Sequence, residues 1–181
     1  MDVQEAGIIF SAEEVRRMLG DLALALLQRH PDPGDLALVG IRAGGAHLAM
    51  RLRDTLAALG GRPPQAGVMD ITLYRDDWTR LHSRPKVGKT EIEFAIDGRV
   101  VVLVDDVIYT GRTIRAAMDA LIDFGRPRRI ELLVLVDRGQ RELPIQPDYV
   151  AAKVSPQEGQ VIDVVLTESG AAEDAVVSRP A

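Results

Sequence analysis

Apolar residues recur along this chain in two alternating periods, one helical and one extended, and their succession predicts an α/β fold. Ser11-Ala12-Glu13-Glu14 reads as a capping box. Behind it Val15, Met18, Leu19, Leu22, Ala23 and Leu26 keep helical spacing to about residue 29, where Pro31, Pro33 and Gly34 break the helix. A short apolar run at 36–41 predicts a strand, residues 46–59 a helix closed by Gly60-Gly61, and residues 68–74 another strand. Residues 99–104 are nearly all valine and leucine, as suits a strand buried on both faces. Ile114, Ala117, Met118, Leu121 and Ile122 share one face of a helix at 113–124, with Gly125 at its C′ position. Residues 130–136 form a second buried strand, and 149–154 and 161–166 are weaker ones. Repeated strand–turn–helix units predict a mainly parallel central sheet flanked by helices. The tail at 167–181 is rich in alanine and acids and is expected to fray.

Length and composition narrow the picture. At 181 residues the chain suits one domain, and a fold of that size buries roughly 70% of its unfolded surface. Cysteine is absent, which removes disulfides, thiolate catalysis and cysteine-ligated zinc, and suits a reducing cytoplasm. His30, His47 and His82 have no metal-ligand spacing. No apolar run approaches the ~20 residues of a membrane span, and residues 1–10 lack a basic flank, so neither a membrane nor export is expected. A net charge of −5 argues against a protein that coats nucleic acid non-specifically. Against that background residues 75–89 stand out, with cations at Arg75, Arg80, Arg84, Lys86 and Lys89 against anions at Asp76 and Asp77. They belong to an insertion at 75–97 that is long for a connection, which makes it a functional lid, a hairpin arm or a disordered loop. Trp78 within it suits packing against a subunit better than stacking on a base. Gly88-Lys89-Thr90 has the ending of a phosphate-binding P-loop, but the position that should hold the first glycine is Ser83 and no strand precedes it.

Chemistry concentrates between residues 100 and 113. An apolar strand ends in Asp105-Asp106, and Tyr109-Thr110-Gly111-Arg112-Thr113 opens the next helix. Helix-start amides suit a phosphate dianion, Gly111 allows close backbone approach, and the threonines add hydroxyl donors. Two carboxylates beside a phosphate make sense if they accept from sugar hydroxyls or face a metal, so a polyol phosphate with Mg²⁺ fits the whole set. This stretch resembles the phosphoribosyl-pyrophosphate (PRPP) motif of the type I phosphoribosyltransferases. Together with Asp70-Ile71-Thr72-Leu73-Tyr74-Arg75-Asp76-Asp77, and with Val134–Gly139 followed by Arg141-Glu142-Leu143-Pro144-Ile145, it is similar to the uracil phosphoribosyltransferases that also regulate pyrimidine operons.

The resemblance implies a type I phosphoribosyltransferase fold over 1–181, with a mobile β-arm at about 74–98 and a small hood from the terminal segments. It implies transfer of ribose 5-phosphate from PRPP to uracil, giving UMP and pyrophosphate, with Mg²⁺ held mainly through PRPP and water at Asp105 and Asp106. PRPP would be held by Asp105, Asp106 and the 109–113 loop. Ile41-Arg42-Ala43-Gly44-Gly45 would form the pyrophosphate loop, and Arg42 and Arg75 would neutralise the leaving group. Asp106 would assist a ribose hydroxyl. Asp137 and Arg138 would meet the base, although a surface ion pair suits Arg138 equally well. A homodimer or larger homo-oligomer is implied, as is pyrimidine-operon leader RNA as a partner. Arg16, Arg17, Arg141 and Lys153 are the candidate RNA contacts. The chain departs from the family in two places. Ala43 and Gly44 replace a hydroxyl and an arginine of the pyrophosphate loop, which predicts a slower reaction. Gln140, Gln146 and Ala152 stand where RNA-binding members carry cations, which predicts weak RNA binding. Two other readings of the same words are a UMP-responsive RNA attenuator with weak transferase activity, and a transferase for another nucleobase.

Overall fold

In the computed structural model, which describes residues 7–60, 62–76 and 88–181, the apolar runs assemble into two sheets. The strands are β1 Gly7–Phe10, β2 Leu36–Ile41, β3 Gln65–Met69, β4 Val100–Ile108, β5 Arg129–Asp137, β6 Tyr149–Lys153, β7 Gln160–Val165 and β8 Ala175–Pro180. The helices are α1 Ala12–Arg29, α2 Gly44–Ala58 and α3 Arg112–Ile122. The larger sheet has the order β3-β2-β4-β5-β6 and every pairing in it is parallel. Side chains alternate across it. Val100, Val102 and Val104 face α1 and α2, whereas Val101 and Leu103 face α3, so β4 is apolar at every position up to its acids. The predicted capping box forms at α1, with the Ser11 hydroxyl accepting from the Glu14 amide and Glu14 accepting from the Ser11 amide.

Three expectations are corrected. The strand predicted at 68–74 stops at Met69, because an Asp70 carboxylate oxygen accepts from the Thr72 amide at 2.7 Å and turns the chain into a 3-10 turn at Thr72–Tyr74. The strand predicted to end before the acid pair continues to Ile108, held in register by β5 through Val107–Val136 and Ile108–Asp137. The tail does not fray. It forms β8, the central strand of an antiparallel sheet in the order β1-β8-β7 that joins the two ends of the chain. Ile162 and Val176 of that sheet pack into the same core as α1 and α2.

Strand order places the site. The chain leaves β2 toward β3 on one side and then crosses back to β4 on the other, so the sheet switches direction between β2 and β4. Loops at the carboxyl ends of two such strands diverge and leave a crevice, the usual place for a ligand in an open α/β sheet.

Candidate active site

The loop after β2 is pressed onto β4, and glycine is what permits it. A Cβ on Gly40 would lie 2.4 Å from the Gly45 carbonyl oxygen, and one on Gly45 would lie 2.2 Å from that of Val104. At Gly44 a Cβ would stand 2.0 Å from a carboxylate oxygen of Asp106. Position 44, where the family resemblance expects arginine, is therefore filled from the other side by an acid. The Arg42 amide donates to the Met69 carbonyl at 3.0 Å, and its guanidinium donates to the Lys89 carbonyl from Nε at 3.2 Å and from Nη2 at 3.0 Å.

Asp105 and Asp106 lie side by side at this crevice. Asp105 is buried and accepts from the Asp106 amide at 3.1 Å; Asp106 accepts from the Val107 amide at 2.7 Å. Burial, and then the charge of Asp106, push Asp105 well above the usual carboxylate range. Asp106 is raised too, chiefly by burial, with the Asp163 carboxylate of β7 adding to it. Among the described residues neither forms an ion pair with a cationic side chain. The 109–113 loop follows directly. Gly111 is left-handed at φ 91° and caps α3 without a side chain; the Arg112 amide donates to the Thr110 hydroxyl at 3.3 Å, and the turn that follows is the kind of helix start that suits an anion. Arg112 points elsewhere, pairing with Asp76 and with Glu142, each at 2.6 Å.

At the end of β5, Asp137 accepts from the Gly139 amide at 2.8 Å and pairs with Arg141 at 2.8 Å. Arg141 also donates to the Ile145 carbonyl at 3.0 Å and the Tyr109 carbonyl at 2.8 Å. Expected from the sequence to meet RNA, Arg141 is instead an almost buried staple between two site loops. Arg138 stacks its guanidinium 3.8 Å over the Tyr109 ring and makes no ion pair among the described residues. Its Nε is buried without an acceptor. The pair borders a cleft of about 390 Å³ that Gln140, Gln157, Gln160 and Val161 complete. The last three were missed in the sequence, because only the fold of the terminal sheet brings them here.

The structure thus gathers 41–45, 105–113 and 137–141 along one sheet edge. Tyr74 turns away and donates its hydroxyl to Asp123. Arg75 is exposed just after the 3-10 turn at Thr72–Tyr74. Trp78, Arg80, Arg84 and Lys86 lie outside the described residues. Arg16 and Arg17 are exposed on α1, and Lys153 is exposed at the end of β6. No helix among the described residues is long and apolar enough to cross a membrane.

Comparison with known proteins agrees with this geometry. The phosphoribosyl transferase domain family matches residues 9–168. The Bifunctional protein PyrR of Desulfosudis oleivorans is 46% identical over 181 residues, covering 99% of this chain and 100% of the relative. That of Thermus aquaticus is 49% identical over 160 residues, with 88% of each chain covered. Among solved structures, the hypoxanthine phosphoribosyltransferase of Trypanosoma cruzi superposes with a TM-score of 0.69 at 22% identity, over 96% of this chain and 97% of the other. At that identity the likeness speaks for the fold.

Proposed function

This chain belongs to the phosphoribosyl transferase domain family, and from that premise we propose how its residues divide the work. It is a uracil phosphoribosyltransferase of the bifunctional PyrR kind, which also regulates pyrimidine operon expression. The observation that carries the assignment of roles is the acid pair of β4 at the point where the sheet switches direction, between a glycine loop and the open start of α3.

In this reading the amides of 110–113 hold the 5′-phosphate, Asp105 and Asp106 accept from the ribose hydroxyls, and the 42–45 loop holds pyrophosphate. Uracil enters the cleft beside Asp137, Arg138 and Tyr109. The C1′–oxygen bond of PRPP breaks, the bond from C1′ to N1 of uracil forms, and the N1 proton leaves to solvent. Positive charge builds on the ribose and negative charge on pyrophosphate, so positioning and neutralisation supply the catalysis. Two adjacent carboxylates with no cationic side chain paired to them among the described residues suit a divalent ion. Mg²⁺ held mostly by PRPP and water is the arrangement that two carboxylates beside a phosphate site suit. When bound, Mg²⁺ supplies charge neutralisation on the leaving group. The acid pair, the loop that follows it and the glycine loop together favour a working transferase over an attenuator with weak activity, although Ala43 and Gly44 predict a slower reaction. Leader RNA remains a proposed partner, with Arg16, Arg17 and Lys153 as its candidate contacts, and the chain is read as cytoplasmic and as a homodimer or larger.

A PRPP-dependent assay across uracil, orotate, adenine, hypoxanthine and guanine tests the assignment. UMP and pyrophosphate should form in equal amounts from uracil alone. Turnover of a purine with none of uracil would overturn the uracil reading.

A further inference from the structure

The tripeptide Gly88-Lys89-Thr90, which failed as a P-loop in the sequence, has a definite place in the structure. It lies against the end of β3 and the loop after β2. An Asp70 carboxylate oxygen accepts from the Gly88 amide at 2.6 Å, and the Asp70 amide donates to the Thr90 hydroxyl at 3.1 Å. One residue further on, Glu91 exchanges backbone bonds of 3.0 and 2.7 Å with Val68, which ties this segment to the edge of the sheet. Between these fixed points the Lys89 carbonyl is aimed at Arg42 and receives both Nε and Nη2 of its guanidinium. The carbonyl orients the guanidinium, and the only carboxylate paired with it among the described residues is that of Glu91, a long and half-exposed contact at 3.9 Å. Gly88 must be glycine for this, since a Cβ would lie 2.4 Å from the Asp70 carboxylate and 3.1 Å from Cδ of Arg42. Asp70 is held below the usual carboxylate range although burial opposes it, because Thr72 and Gly88 donate to it and Arg42 lies close.

We propose that Asp70 is a positioning residue for the leaving group: it fixes Gly88, Gly88 sets the Lys89 carbonyl, and that carbonyl presents Arg42 to pyrophosphate. This rests on the reading of 42–45 as the pyrophosphate loop and adds to it the device that orients its cation.

Titration calorimetry of magnesium pyrophosphate and, separately, of UMP tests the proposal on the wild type, Asp70→Asn, Gly88→Ala, Arg42→Ala and Asp70→Asn with Arg42→Ala. An asparagine can accept from only one of the two amides that Asp70 now serves. Asp70→Asn and Gly88→Ala should each weaken pyrophosphate about tenfold, the worth of ~1.4 kcal/mol, with UMP affinity changed less than twofold. In the Arg42→Ala background Asp70→Asn should add less than twofold. Independent effects that multiply, or equal losses for UMP and pyrophosphate, would overturn the positioning role. A wild type that binds UMP but no pyrophosphate would overturn the loop assignment beneath it. Gly88→Ala keeps both carboxylate and guanidinium, so the test survives if Asp70→Asn fails to fold.

Discussion

At Asp105 a carboxylate is kept out of water with one amide, that of Asp106, donating to it among the described residues, and its neighbour is another acid. Its proton affinity in the fold therefore exceeds that in the unfolded chain, and the sign of the consequence follows. Asp105's own contribution to the stability of the ligand-free fold is most favourable below the ordinary carboxylate range, and it falls as pH rises from the unfolded value toward the folded one. Asp105→Asn removes that titration. The variant should melt higher than the wild type at pH 7.5, by about 2–4 °C for each kcal/mol relieved, and the gap should shrink at pH 4. Its transfer activity should fall on the order of 10²-fold or more, through loss of a charge-assisted bond to the ribose. Calorimetric scans at the two pH values, with the uracil assay, check both halves; a variant less stable at pH 7.5 with full activity refutes the argument. The sequence already pointed to this residue, since a paired acid after a valine run has few other uses. It could not show that Gly44 is forced by Asp106. That constraint joins the start of α2 to the end of β4, some sixty positions apart, and it exists only once β2 and β4 pair in parallel.

Elements with a strong period were legible and those defined by partners were not. The cores of α1, α3, β4 and β5 follow from apolar spacing alone, because each buries a full face or both faces. β1 and β8 are short, and the acid-rich segment ahead of β8 masks it; pairing makes them strands. What holds their sheet to the main body is also remote in sequence. Arg51 of α2 reaches Glu168 and Asp174, both at 2.5 Å, with its side chain 23% exposed. Arg51 draws both acids below their usual range, so this clamp is present at neutral pH and is lost as pH falls through their folded values. Replacing Arg51 by methionine keeps the stem and removes the fork. After discounting for partial exposure, the loss should be about 1–2 kcal/mol at pH 7 and smaller at pH 4. Denaturant melts at both pH values measure it, and hydrogen exchange should rise first in β8. An equal loss at both pH values would mean that packing of the stem, and not charge, is what matters.

For the molecule as a whole the open quantity is RNA affinity, because phosphate contacts must overcome a net charge of −5. The sequence suggested four cations for the task, and the fold removes Arg141 by pairing it with Asp137 and two carbonyls. It also ranks the three uncharged positions. Gln140 borders the cleft and holds a left-handed backbone at φ 57°, and Ala152 packs partly against the core, so a cation at either would disturb something else. Gln146 is exposed and free of both constraints. Binding of a pyrimidine-operon leader hairpin by the wild type should therefore be weak near physiological salt. Gln146→Arg should strengthen it and steepen the salt slope by roughly 0.7–0.9, with uracil turnover unchanged. Lys153→Gln should lower the slope by a similar step if that end of β6 lies on the RNA face. Filter-binding titrations at two salt concentrations read both slopes. Tight, steep binding by the wild type that is indifferent to Gln146 and Lys153 but lost with Arg16→Gln and Arg17→Gln would move the RNA face onto α1. With a net charge of −5, the chain would then owe its RNA affinity to the cations of that one helix.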